Sequence, residues 1–381
     1  MNSRLVHLDF ARGLAAVAVC AGHLRAFQFS TFTQVPKPNW FDKIFYLVTG
    51  YGHQAVVVFF VLSGFLVGGS VAKSTSKNRW SWFDYGLRRL TRLWLVLIPA
   101  LVLTWMWDSA GGFLTGGLGY NGCYYGSLQS GPPQSAGTQL GPAVFFGNLF
   151  FLQTIFTPVY GTNGPLWSLA NEFWYYLLFP LLYLVFYTHT SLKHKIVYCL
   201  IAIACCILLP SGLLLGGLIW LVGYGVHLCV SLPRLRRITA IPIFFAVSFT
   251  ALIASLWISR NHVFPGSDMV VGLTFAGILP FLVIRQSGSV WYQKMATGFS
   301  AISYTLYLVH FPLLAFLFFA FRLPGKDLPS VNAYLVFFVI LLCVLAFASA
   351  VWWLFERRTD QLRKGIECTI QGLRNTSMAS K

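Results

Sequence analysis

Long apolar stretches recur along the whole chain and are separated by shorter polar and basic connections. A helix needs about 20 apolar residues to cross a bilayer, and each stretch approaches that length. The pattern predicts ten transmembrane helices, at 8–27, 53–71, 93–109, 166–187, 196–210, 213–230, 238–258, 269–285, 298–320 and 331–355. An eleventh apolar stretch, 143–157, is short and follows a loop rich in Gly, Ser and Pro, so we expect it to be re-entrant or interfacial. The predicted fold is an all-α integral membrane bundle, formed by residues 1–356 and followed by a basic cytoplasmic tail at 357–381.

The composition excludes an ordinary soluble domain, because 57% of the 381 residues are hydrophobic and only 10% are charged. The net charge of +17 would fit a nucleic-acid-binding protein, but the basic residues lie between the apolar stretches and not on a folded polar domain. With ten crossings, 21 of the 27 Lys and Arg residues fall on the side of the two termini. The positive-inside rule therefore predicts that both termini are cytoplasmic, and we expect no nucleic-acid partner.

Two ionisable residues lie in the first apolar stretch, Arg12 near its predicted cytoplasmic end and His23 in its outer third. They are eleven residues apart, which is about three helical turns, so they share one face with roughly 16 Å between them along the axis. Ionisable groups within a span are costly and usually face the bundle interior, which makes both functional candidates. The alternative is structural: Arg12 would pair with Asp9 at i,i+3, and His23 would be an interfacial histidine.

A basic cluster precedes the third predicted span and contains Arg88, Arg89 and Arg92. Arg89 and Arg92 stand at i,i+3, so both guanidinium groups can bind one anion such as a phosphate. The alternative is that the cluster only sets topology and contacts lipid headgroups.

Glu172 is the only acidic residue in the fourth predicted span, and it lies about two turns below the outer end, nearly at the depth of His23. A buried carboxylate needs a cationic or hydrogen-bonding partner, and we expect His23 to be that partner. The alternative is an ion pair that only ties two helices together.

Other polar and small residues in the spans are less specific. His53 opens the second span and His310 stands within the ninth, and either fits a histidine that packs or bonds between helices. Gly64 and Gly68 form a GxxxG pair, which predicts close helix packing. The sequence contains no G-x-S-x-G, no H-x-x-x-x-D and no zinc-ligand spacing, so a serine hydrolase is disfavoured and no metal is expected.

These segments together resemble the membrane acyltransferase-3 family. The similarity is carried by Leu8–His23 with its Arg-x10-His spacing, FFVLSGFLV at Phe59–Val67, the Arg-x-x-Arg of Arg89–Arg92, WSLANEFWYY at Trp167–Tyr176 and SYTLYLVHFPLL at Ser303–Leu314. The segments are in the family's order and span most of the chain. Phe173 departs from the family pattern, because many members have a second acidic residue at that position.

The resemblance implies an enzyme that transfers an acyl group, commonly acetyl, from acetyl-CoA to a hydroxyl of a carbohydrate. It implies that His23 and Glu172 are catalytic and that Arg12, Arg89 and Arg92 serve the donor. We expect Arg88 to join Arg89 and Arg92 in binding the donor phosphates. The expected setting is a bacterial inner membrane, with acyl-CoA and membrane lipids as partners and a carbohydrate or glycolipid acceptor such as lipopolysaccharide O-antigen. Many members carry a C-terminal SGNH-type domain, and we expect this protein to be a form without one.

The rival interpretation is a proton-coupled transporter or channel for a small polar solute. In it, Arg12, His23 and Glu172 would form a proton or substrate relay, as intramembrane ionisable residues often do. The sequence shows no obvious inverted repeat of helices broken by Gly or Pro, which weighs against a transporter.

Overall fold

Helices account for nearly all regular structure in the computed structural model, which describes residues 5–128, 137–239, 241–260, 266–286, 288–321 and 326–379. The helices in the first part of the chain are α1 (Val6–Gln28), α2 (Trp40–Val48), α3 (Gly52–Ser63), α4 (Gly69–Ser76), α5 (Trp82–Thr115), α6 (Tyr125–Leu128) and α7 (Pro142–Leu149). The helices that follow are α8 (Leu166–Phe186), α9 (Leu192–Leu208), α10 (Ser211–Ser231), α11 (Pro233–Thr239), α12 (Pro242–Arg260), α13 (Ser267–Ile284), α14 (Val290–Phe321), α15 (Val331–Leu354) and α16 (Thr359–Ala379).

The prediction of an all-α membrane bundle is confirmed. Nine helical segments in the described part of the chain are long and apolar enough to cross a membrane. The predicted span at 196–210 corresponds to α9, which has only 17 residues and is not among the nine. The stretch 143–157 forms the eight-residue α7 followed by irregular turns, so it is not a helix of crossing length.

The predicted start of the third span is wrong. The third span was expected at 93–109 with its basic cluster in a loop, but α5 begins at Trp82 and carries the cluster within the helix. The reason is local, since the Ser81 side chain accepts a hydrogen bond from the backbone N–H of Asp84 and caps a helix that starts well before the apolar residues. The segment after 356 is likewise helical, as α16, over its described residues.

Helices α3 and α10 approach each other closely at glycine residues. A Cβ added to Gly64 would lie 1.8 Å from the carbonyl oxygen of Trp220, and one added to Gly223 would lie 2.0 Å from that of Val61. The predicted close packing at Gly64 is therefore confirmed, and the contact joins the end of α3 and the turn that follows it to α10. Residues Gly64–Gly68 form a π-helical turn between α3 and α4, a distortion that is frequent at functional sites.

The most extensive contact between two helices among the described residues is that of α1 with α14. Gly13 allows it, because a Cβ at that position would lie 2.5 Å from the Cβ of Phe299. The approach places the Arg12 side of α1 directly against Ser300 of α14. Helix α14 also packs on α5, so it contacts both α1 and α5.

Candidate active site

A cavity of about 120 Å³ lies between α1, α3, α5, α8 and α14. Aliphatic and aromatic side chains of α3 form much of its wall, including Val56, Phe59 and Phe60. Its polar lining includes Arg12, Arg89, Arg92, Glu172, Tyr176 and Tyr307. The cavity therefore joins three of the four predicted donor-binding arginines to one of the two predicted catalytic residues.

Arg12 is fixed by a hydrogen-bonded group on α1 and α14. Its Nη2 donates to Oδ1 of Asp9 at 3.1 Å, and its Nε donates to Oγ of Ser300 at 3.0 Å. The Ser300 hydroxyl in turn donates to the same Asp9 oxygen at 2.9 Å. The ion pair of the structural alternative thus exists, yet Arg12 also lines the cavity, so the two interpretations do not exclude each other.

The three arginines of α5 separate into two kinds. Arg89 and Arg92 line the cavity, whereas Arg88 is exposed and is not among the lining residues. The guanidinium of Arg89 lies 5.6 Å from the ring centroid of Tyr85 and 5.5 Å from that of Tyr176, and its Nη2 donates to Ser70 Oγ at 3.0 Å.

The Nε of Arg89 is buried and has no hydrogen-bond partner among the described residues. An unpaired buried N–H is costly, so this donor is suited to a bound anion. The structure therefore brings Arg89 and Arg92 to one site, as the i,i+3 spacing suggested, and leaves Arg88 outside the lining.

Glu172 does not pair with His23, and that expectation is wrong. Its Oε1 accepts a hydrogen bond from the hydroxyl of Tyr176, one turn along α8. The ring of Tyr176 carries the guanidinium of Arg89 on its face. The Glu172 carboxylate thus lies at the end of the cavity that carries the arginines. The sequence prediction placed it beside His23 of α1 because the two residues have a similar predicted depth in the membrane.

His23 pairs instead with His310 of α14. Its Nδ1 lies 2.9 Å from Nε2 of His310, and the two ring planes are nearly parallel, at 13°, with centroids 5.2 Å apart. The other ring nitrogen of His310, Nδ1, lies 2.9 Å from the carbonyl oxygen of Leu306. His310 is fully buried, while His23 keeps part of its surface accessible.

These contacts assign the protons of the two rings. A carbonyl oxygen only accepts, so Nδ1 of His310 carries the hydrogen, and a neutral His310 then has its lone pair on Nε2. That lone pair accepts from His23, so the hydrogen of His23 is on Nδ1. The Nε2 of His23 is left with an available lone pair, which is the form that a general base or a nucleophile requires.

The histidine pair lies one helical turn from the end of the cavity. Tyr307 lines the cavity and stands three residues before His310 on α14, with ring centroids 6.1 Å apart. Its hydroxyl is 2.6 Å from Oγ of Ser168 on α8, which also lines the cavity. Arg12 and His23 therefore lie at two levels of α1. Arg12 lies at the end of the cavity that carries Arg89 and Arg92, and His23 lies beyond the opposite end, which is closed by Tyr307.

The family model described as an acyltransferase domain matches residues 5–355 of this chain. The chain belongs to the acyltransferase-3 family. With the helical bundle described above, this makes the protein a membrane acyltransferase. No curated protein and no solved structure matches it.

Several side chains near the cavity of this acyltransferase are not among the site residues that the sequence predicts. The carboxylate of Glu356 accepts a hydrogen bond of 2.5 Å from Thr305 and interacts electrostatically with Arg92 and Arg12. Glu356 is the last residue of the predicted bundle and directly precedes the basic tail, so no apolar pattern marks it as part of a site. Tyr176 was within reach of sequence reasoning, because a residue four positions after Glu172 on a helix is its neighbour.

Proposed function

We propose that this acyltransferase takes its acyl group from cytosolic acyl-CoA, usually acetyl-CoA, and transfers it to a hydroxyl of a carbohydrate. The observation that carries the proposal is the cavity with guanidinium groups at one end and a histidine pair one turn beyond the other end. One end suits a polyanion and the other suits the activation of a hydroxyl.

The donor would bind at the arginine end. Arg89 and Arg92 present planar forks that match phosphate oxygens, and the unpaired buried Nε of Arg89 gives a direct site for one of them. Arg12 would lie along the path of the pantetheine arm, since it lines the same cavity on the helix that leads to His23. Exposed Arg88 would add only general positive charge at the rim.

Transfer would occur at Nε2 of His23. This nitrogen accepts the proton of the acceptor hydroxyl as the hydroxyl oxygen bonds to the thioester carbonyl carbon. The carbon–sulfur bond then breaks, and the departing thiolate takes the proton from the imidazolium. His310 would stabilise that imidazolium and hold the ring, the part that Asp or Glu has in many catalytic triads.

The free Nε2 is also a nucleophile, so an acyl-histidine intermediate is a second route from the same geometry. Ping-pong kinetics and a trapped acyl-enzyme would identify it. Glu172 would act at the donor end on either route, because it fixes the Tyr176 hydroxyl beside Arg89.

The acceptor would be a carbohydrate or glycolipid at the outer side of a bacterial inner membrane. The proposal places both termini in the cytoplasm, in agreement with the distribution of Lys and Arg. O-antigen of lipopolysaccharide belongs to this class of acceptor.

The test uses purified protein in lipid nanodiscs with acetyl-CoA labelled in the acetyl group. We expect slow thioester cleavage without an acceptor, label transfer when a glycan acceptor is added, and loss of both in His23→Ala. His189→Ala is the matched control, because His189 is exposed in the connection between α8 and α9. Cleavage at the native rate in His23→Ala, or solute flux in proteoliposomes without any acyl transfer, would contradict the proposal.

A further inference from the structure

A second cavity, of about 610 Å³, lies where α3, α8, α10 and α13 begin. His53, Trp167, Gly212 and Asp268 line it, each within the first three residues of its helix. In the predicted topology all four helices start at the outer face. This cavity is thus placed on the side from which an acceptor would approach, and the donor site does not use it.

Its polar end is an ordered histidine–aspartate pair. The Nε2 of His53 lies 2.7 Å from Oδ2 of Asp268, and Oδ1 of Asp268 accepts from the hydroxyl of Ser259 at 3.1 Å. Gln54 donates to the same hydroxyl at 2.9 Å, which ties α3, α12 and α13 together at this point. The His53 ring is nearly parallel to the Trp167 ring, at 21°, with centroids 6.5 Å apart.

The pair leaves one hydrogen-bonding atom for a ligand. Because Nε2–H of His53 faces the carboxylate, the Nδ1 atom of a neutral ring is an acceptor. The His53 side chain is 53% exposed, so a ligand hydroxyl can reach it. Asn171 lines the cavity one turn below Trp167 and adds a side-chain amide.

Most of the remaining lining is apolar, and on α10 and α13 it includes Leu213, Leu215, Ile219 and Met269. A purely polar sugar would leave these side chains without contacts, and an ordinary acyl chain would leave the histidine–aspartate pair unused. A ligand with a hydroxyl-bearing head and an apolar chain satisfies both halves.

The two cavities share a wall. Val56 and Phe60 line both of them, and α8 presents Trp167 and Asn171 to the second cavity while the next residues along the helix, Ser168 and Glu172, face the first. The wall is one layer of side chains thick at Phe60. A molecule in the second cavity is therefore a neighbour of the donor cavity.

We propose that the second cavity binds the acyl acceptor and that this acceptor is amphiphilic, with a hydroxyl of its head on His53 and its apolar chain between α10 and α13. That the bound molecule is the acyl acceptor rests on the proposed function. The binding of an amphiphile in this cavity does not.

The experiment uses the full-length protein in nanodiscs and n-octyl β-D-glucoside carrying a photoreactive diazirine in its alkyl chain. Cross-linked positions are read by mass spectrometry. We expect labelling within 213–219 and at Met269, displaced by unlabelled octyl glucoside. Gly212→Leu should abolish it by filling the cavity, and Gly225→Leu is the matched control, because neither glycine has an atom within 4 Å of an added Cβ and both lie on α10.

His53→Phe keeps a ring for Trp167 and removes the hydrogen bond, so it should weaken displacement by about tenfold. Undiminished labelling in Gly212→Leu, or equal labelling of these residues by a diazirine phosphatidylcholine that octyl glucoside does not displace, would overturn the proposal. Failure of thioester cleavage alongside normal labelling would instead refute only the proposed function. In an active preparation, Gly212→Leu should lower acetyl transfer to octyl glucoside, whereas Gly225→Leu should not.

Discussion

Replacing His310 with Phe tests the proton assignment of the histidine pair. Phenylalanine keeps an aromatic ring beside Phe311 but offers no acceptor to Nδ1–H of His23, which now has one at 2.9 Å. A buried donor left without a partner costs about 1–3 kcal/mol. His23 avoids that cost by moving its hydrogen to Nε2, and the reactive lone pair is then on the wrong nitrogen.

The same free energy must then be supplied to restore the reactive form. We therefore expect kcat to fall by about 5- to 150-fold in His310→Phe, since each 1.36 kcal/mol corresponds to tenfold in rate. The KM for acetyl-CoA should not change, because Arg89 and Arg92 lie on α5 and do not contact His310.

Two measurements separate this effect from simple damage to the fold. His310→Gln should keep most of the activity, because its side-chain oxygen can accept from His23. Nitrogen-15 spectra of histidine-labelled protein should show Nδ1 of His23 protonated in the native protein and in His310→Gln, and Nε2 protonated in His310→Phe. Unchanged kcat in His310→Phe, or a native His23 protonated on Nε2, would refute the assignment.

Three further outcomes follow from the site and the packing. Arg89→Ala should raise the KM for acetyl-CoA by about 10- to 100-fold, because it removes a charge-assisted contact of roughly 1.5–3 kcal/mol. Arg88→Ala should change this KM little in the same thioester assay, and equal effects of the two substitutions would show that only net charge matters. Glu172→Gln should lower donor affinity and leave the nitrogen-15 signals of His23 as they are, because the two side chains do not touch; an altered His23 spectrum would contradict the geometry. Gly64→Ala should lower the thermal unfolding temperature in nanodiscs, because overpacking costs about 1–3 kcal/mol or more of the free energy of unfolding. Gly86→Ala should not lower it, because an added Cβ at this helical position has no atom within 4 Å, and equal unfolding temperatures of the two variants would argue against the close contact with Trp220.

What lies within one helix could be read from the sequence. Apolar runs of crossing length predicted the bundle, and the spacing of Arg12 and His23 placed them at two levels of α1, because helix geometry fixes the relation of nearby residues. The Glu172–Tyr176 contact is of this local kind. The sequence prediction paired Glu172 with His23 instead, but a similar depth in the membrane does not determine which helices touch.

What lies between helices was decided only by the tertiary structure. His23 and His310 are 287 positions apart, and nothing in either segment states which helix faces which. Likewise, Arg88 and Arg89 are adjacent in the chain, yet only the packing of α5 on its neighbours directs one to the cavity and the other outward. The physical reason is that a helix fixes the angle between its own side chains, whereas its rotation and its neighbours depend on close approaches such as Gly13 on Phe299 and Gly64 on Trp220, which form only when the whole bundle packs.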